Sequence, residues 1–116
     1  MEDFELLTMR PNLPVRDVAA AAAFYRDVLG FRVTTQFEDG SFALLHGGSA
    51  ELALVRRDSP SPQGAYLYVR GIQAALARCE AAMAKVVYPL TDEPWGLRNF
   101  VLEDPDGHHI AIGERI

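Results

Sequence analysis

Two textures of hydrophobic and polar positions alternate along the chain, and each occurs twice. Val18, Ala21, Ala22, Tyr25, Val28 and Leu29 recur at the i, i+3, i+4, i+7 spacing of an amphipathic helix. Asp17 stands where an N-cap belongs and Gly30 where a C-cap belongs, so the pattern predicts a helix between them. A shift of 54 positions, from Val18 to Ile72, repeats the stripe as Ile72, Ala75, Leu76, Cys79, Ala82 and Met83. The flanks repeat as well: Val15-Arg16-Asp17-Val18 falls on Val69-Arg70-Gly71-Ile72, and Val33 falls on Val87. One unit is used twice.

After each helix the period drops to two, which is the signature of strands. The first half predicts strands at about 31–38, 41–46 and 51–57, with turns at Asp39-Gly40 and Gly47-Gly48. The second half predicts them at about 86–91, 97–103 and 108–114, the last preceded by the turn Asp104-Pro105-Asp106-Gly107. A strand also precedes each helix, near 6–15 and 65–70. Pro11 and Pro14 place the first of these at an edge or make it irregular. The Pro- and Ser-rich run 58–64 links the halves. The expectation is an α+β fold of two tandem βαβββ units, about 5–57 and 65–114, within one domain spanning 1–116. Its mixed sheet is curved, its helices lie on the outer face, and the other face is open to a ligand. Cys79 falls on the buried stripe of the second helix and reads as core.

Composition narrows the partner more than it changes the fold. The chain has 116 residues, 49% of them apolar and 23% charged, enough for a real core and unlike a disordered sequence. A net charge of −5 and a pI near 5.1 argue against nucleic acid or an anionic membrane and leave room for a cationic ligand. The opening Met1-Glu2-Asp3 is acidic where a signal peptide is basic, and no apolar run approaches the ~18 residues of a membrane span. With a single cysteine, the expected location is a reducing cytoplasm.

Three segments carry a resemblance: Pro14-Val15-Arg16-Asp17-Val18, Phe24-Tyr25-Arg26-Asp27-Val28-Leu29-Gly30-Phe31 and Asp104-Pro105-Asp106-Gly107. Together they resemble the glyoxalase, bleomycin-resistance and dioxygenase superfamily, the vicinal oxygen chelate proteins, over nearly the whole chain. Pro94-Trp95-Gly96-Leu97-Arg98-Asn99-Phe100, with Tyr66-Leu67-Tyr68-Val69-Arg70-Gly71, is similar to the bleomycin-resistance branch. That branch implies a homodimer whose ligand crevices are made by both subunits.

The superfamily's enzymes hold a metal at four strand positions, and by resemblance these fall near Arg10, at Glu51, near Gly64 or Ala65, and at Ala111. Only Glu51 has the chemistry of a ligand, since guanidinium stays protonated and alanine offers a methyl group. The expectation is therefore no metal, no cofactor and no catalytic residue. His46 and Glu51 flank the Gly47-Gly48 turn and are placed to face each other across a hairpin. An unorthodox site using them or His109 is the remaining metal alternative. His108 and His109 are neighbours on one strand and point to opposite faces. The histidines otherwise read as solvated turn residues, with one of them a candidate to line the cavity.

By resemblance, Phe42, Tyr66 and Trp95 match positions that offer aromatics to a planar drug. Trp95, in a loop, reads equally as a binding surface and as a lid over the core. Glu51 shares its phase with Ala53 and Val55. It meets a cationic ligand or pairs with Arg98 if that face lines the cavity, and is a solvated charge if the face is reversed. Arg98 and Asn99 alternate, so one of the two points into the crevice. The resulting expectation is a binding protein that sequesters an antibiotic or other planar small molecule without catalysis, with room for a cationic one, through Phe42, Glu51, Tyr66, Trp95 and Arg98. The alternative is a metal-dependent lyase, thiol transferase or dioxygenase.

Overall fold

The first helix forms where its own sequence encodes both ends. In the computed structural model, which describes residues 3–116, α1 runs Val18–Leu29. The Asp17 carboxylate accepts the Ala20 N–H at 3.0 Å, and Gly30 closes the helix in the left-handed conformation, φ 82°. Val18, Ala21, Ala22, Tyr25 and Val28 are buried, as the stripe requires.

The second helix, α2 at Ile72–Ala81, obeys the same period but borrows its cap. Gly71 has no side chain to offer, so Glu114, which lies in the last strand, accepts the N–H groups of Ile72 (3.0 Å) and Gly71 (3.1 Å). Those two bonds hold its carboxyl below the usual carboxylate range. The helix ends earlier than the stripe predicts. Ala82 is its C-cap, and Met83 turns into the left-handed region at φ 57° and is 91% exposed rather than buried.

The strands are β1 (Asn12–Val15), β2 (Arg32–Gln36), β3 (Phe42–Gly47), β4 (Ala50–Arg56), β5 (Gly64–Tyr68), β6 (Lys85–Asp92), β7 (Leu97–Glu103) and β8 (His109–Arg115). Each βαβββ unit builds its own mixed four-stranded sheet, in the orders β1-β4-β3-β2 and β5-β8-β7-β6, so the expected curved sheet is divided in two. The opening strand of each unit runs parallel to its last strand at one edge. β1 is shorter than the predicted 6–15: Pro11 and Pro14 supply no N–H, and residues 3–11 lie outside the ladder, exposed.

Alternation sorts the two faces of each sheet. Leu13, Leu45, Leu52, Leu54, Phe100, Leu102, Ile110 and Ile112 face the helices and join them in one buried cluster that includes Cys79. Burial pushes the Cys79 thiol up, away from reactivity. Among the described residues, no helix is long and apolar enough to cross a membrane.

The turn 104–107 joins the halves. Asp104 accepts the Tyr25 hydroxyl and the backbone N–H groups of Asp106 and His108, while Asp106 accepts the Arg16 N–H at 2.9 Å. Burial first, and then Asp104, push the Tyr25 phenol up, so it stays a donor. His108 is fully buried rather than solvated. Its Nε2 lies 2.7 Å from the Pro14 carbonyl, which only accepts, so that nitrogen carries the proton. Its Nδ1 then accepts the Gln63 N–H at 2.9 Å. One imidazole thus ties β1, the linker and the entry to β8.

Candidate functional site

The sheet faces turned away from the helices differ in chemistry. On the first sheet, register pairs Phe42 with Val55, Leu44 with Ala53 and His46 with Glu51. His46 and Glu51 do meet across the hairpin, with Nε2 and Oε1 2.9 Å apart. Because the carboxylate accepts, Nε2 is the donor, and Nδ1 faces the Thr34 hydroxyl at 2.8 Å. Glu51 is therefore neither a free surface charge nor a partner of Arg98. Its carboxylate is oriented by an imidazole.

On the second sheet the same face carries Tyr66 and Tyr68, two residues apart on β5, with ring centroids 4.9 Å apart. Tyr66 leans across β8 so that its hydroxyl donates to Asn99 Oδ1 at 3.0 Å. This crossing requires Gly113, because a Cβ there would overlap the Tyr66 hydroxyl. Asn99 Nδ2 in turn reaches Glu93, which also accepts the Tyr88 hydroxyl at 2.7 Å. Burial first, then Tyr68 and Glu93, push the Tyr66 phenol up against a smaller opposite pull from Arg115. Arg115 lies over the Tyr68 ring, 4.8 Å from its centroid.

Between the two units runs a cleft. Its narrow part encloses about 170 Å³ among Leu13, Leu52, Leu67 and Ile110, with Glu51 and Tyr66 at its wall. Its wide part, about 800 Å³, opens beside Tyr68, Arg70 and the Gly47–Gly48 turn. Leu29, Phe31, Ala50 and Leu67 line both, so the two parts adjoin. The narrow part alone is below the ~300–1,000 Å³ of ordinary ligand pockets, and the two together fall near the upper end of that range.

The cleft therefore brings together Glu51 and Tyr66 of the five residues singled out from sequence. Phe42 is half-buried at the far end of β3, tilted against Phe37 at 5.2 Å. Trp95 sits in the turn closed by the Gly96 N–H to Glu93 carbonyl bond and is 68% exposed, so it does not cover the core. Arg98 is bonded to Asp92 at 2.6 and 3.1 Å and lies on the helix side of β7. Asn99 is the member of that pair on the face of Tyr66. Alternation had reduced the choice to two, and the missing signal was the parity of β7 against β8, which Gly113 reveals.

The donor set does not suit a bound metal. Arg10 is exposed, Ala111 stands opposite Tyr66 with only a methyl group, and Glu51 is engaged with His46. Among the described residues, no three His, Cys, Asp or Glu side chains converge.

Residues 8–112 match the sequence model of the glyoxalase/bleomycin resistance protein/dioxygenase superfamily. A bleomycin resistance protein of Geobacillus stearothermophilus is 28% identical over 132 aligned positions, covering 96% of this chain and 98% of the relative. Among solved structures, TioX from Micromonospora sp. ML1 superposes with a TM-score of 0.86 at 25% identity, covering 93% of this chain and 98% of the other. The bleomycin-binding protein of Streptomyces verticillus, solved with copper(II)-bleomycin, shares the fold at a TM-score of 0.75 and 24% identity, covering 95% and 97%.

Proposed function

This chain belongs to the glyoxalase/bleomycin resistance protein/dioxygenase superfamily, and from that premise we propose that it captures a small planar molecule without altering it. The observation that carries this reading is the apolar cleft between the units. Its lining is mostly apolar and includes Glu51 and Tyr66, and among the described residues no donors converge in the set that catalysis by a chelated metal requires. Affinity would come from burial and stacking, with Tyr66 and Trp95 as ring surfaces, Phe42 as a further apolar contact and Glu51 answering a positive charge. Arg98, paired with Asp92 on the helix side of β7, would act on the ligand only through its charge.

The cytoplasm is the proposed location, and a homodimer with shared crevices is the proposed state. Phe4, Leu6, Leu7 and Met9 are 87%, 88%, 84% and 87% exposed, an apolar run that the chain leaves uncovered. A second copy would cover it, and Trp95 and Phe42, which lie outside the cleft of one chain, would serve a crevice made by two. Light scattering should give a dimer at micromolar concentration, and a monomer that still binds ligand would remove this element.

The test of function is a thermal-shift titration with bleomycin and other planar natural products, with and without copper(II). A ligand that binds the folded state alone adds ~2.7 kcal/mol at a hundredfold excess over its dissociation constant. Trp95, the single tryptophan, should report binding through its fluorescence. If no planar compound shifts the melting temperature and the purified protein carries near one equivalent of zinc, nickel, manganese or iron, the metal-dependent enzyme reading replaces this one.

A further inference from the structure

The wide part of the cleft is lined by two arginines, Arg70 and Arg115, that make no ion pair among the described residues. Tyr66 and Tyr68 lie on one side of β5, Arg70 follows two residues past the end of that strand, and Arg115 closes the neighbouring β8. Among the described residues, neither Arg70 nor Arg115 makes an ion pair or a side-chain hydrogen bond, although acidic residues outnumber basic ones sixteen to eleven. The nearby carboxylate is Glu114, which accepts the N–H groups that open α2, attracts Arg70 through its charge, and makes no ion pair with either arginine. The Tyr68 ring supports the flat face of the Arg115 guanidinium, which leaves the N–H groups on its edge available. Leu67 and Phe31 supply an apolar wall next to these charges.

We propose that this end of the cleft is an oxyanion subsite: Arg70 and Arg115 receive a carboxylate or phosphoryl group borne by a planar aromatic ligand whose ring lies along Tyr66 and Tyr68. The proposal rests on the binding-protein reading and extends it. Glu51 stands in the narrow part and the arginines in the wide part, so the cleft is electrically polar along its length. It suits a ligand that is anionic at one end, and that tolerates or carries positive charge at the other. The fork of donors on Arg115 matches an oxyanion in a way that a lysine would not. Glu114 offsets part of the charge of Arg70 but stays at α2, because leaving it would uncover the helix's first N–H groups.

Three probes with one ring system separate the possibilities: the naphthoate anion, its uncharged amide and the naphthylmethylammonium cation, each in equilibrium dialysis at low salt. Naphthoate should bind about tenfold more tightly than the amide, the ratio expected for one charge-assisted contact. Arg70→Ala and Arg115→Ala should each erase most of that ratio, weakening the anion far more than the amide, and added salt should shrink it. Arg115→Lys should keep only part of it. Both positions are exposed, and unchanged circular dichroism of the variants would show that the fold is intact. Equal binding of anion and amide, a preference for the cation, or an anion preference that survives both alanine variants would overturn the subsite and leave the apolar cleft standing. Failure of all three probes to bind at millimolar concentration would overturn the subsite together with the binding-protein reading on which it rests.

Discussion

The two βαβββ units solve the same problem by different means. At the position where the first unit has Asp17, the second has Gly71. The first helix is capped by its own neighbour in sequence. The second is capped by Glu114, a residue 42 positions beyond Ile72. At the other end, Gly30 adopts the left-handed turn at little cost, whereas Met83 adopts it with a side chain attached. Five residues of α1 are buried but only Ile72 and Cys79 of α2. The first helix takes both its caps from its own sequence neighbours. The second depends on its sheet, and that sheet also carries the tyrosines, Asn99 and Arg115 of the cleft.

The largest test of this contrast is to cut the joint between the units. His108→Ala removes the partner of both the Pro14 carbonyl and the Gln63 N–H, and it opens a void beside them. Urea unfolding should show a loss of about 2–4 kcal/mol. If the units are as unequal as their caps suggest, amide exchange in this variant should rise in α2 before α1. A uniform rise would argue that one cooperative core erases the difference.

Gly113→Ala comes next. The new methyl group overlaps Tyr66, so the ring must leave β8 and lose Asn99. A cost of about 1–3 kcal/mol is expected, with a shift in the tyrosine near-ultraviolet signal. Unchanged stability with Tyr66 still in place would show that the sheet yields there.

The caps themselves differ in a way that pH can read. Asp17→Ala should cost about 0.5–2 kcal/mol and raise exchange in α1. Glu114→Gln should raise exchange at Gly71 and Ile72 and leave α1 unchanged. Glu114 has a folded-state pKa below its ordinary value, so its contribution is full above the ordinary carboxylate range and fades as pH falls through the lowered value. Acidification should therefore mimic Glu114→Gln at the start of α2. Equal protection there at acid and neutral pH would assign the cap to the backbone alone.

The smallest effect has the opposite sign. Met83→Gly places a residue suited to φ 57° at an exposed position and should stabilise the protein by about 0.5–1 kcal/mol, which would make the second C-terminus more like Gly30. A lower melting temperature would mean that Met83 has a contact in the assembled protein that it lacks in one chain.

Periodicity and punctuation made much of this architecture legible in advance. The stripe from Val18 to Val28, the Asp17 and Gly30 caps, the hairpin that faces His46 with Glu51, and the repetition of the whole unit are all local relations. An apolar period, a capping oxygen or a two-residue turn acts within a few residues of itself. What the tertiary structure decided lies beyond that range. Glu114 caps a helix far away in sequence, His108 is buried as a three-way tie, residues 3–11 stay outside the β1 ladder, and Met83 leaves the helix that its stripe predicts. The cleft belongs to this second class as well. Alternation assigns each side chain to one of two faces but not to the same one as its neighbour strand, and only the register of β5, β8 and β7 put Tyr66 over Gly113 and against Asn99. Pairing register is a property of two strands together, so no single strand's sequence could contain it.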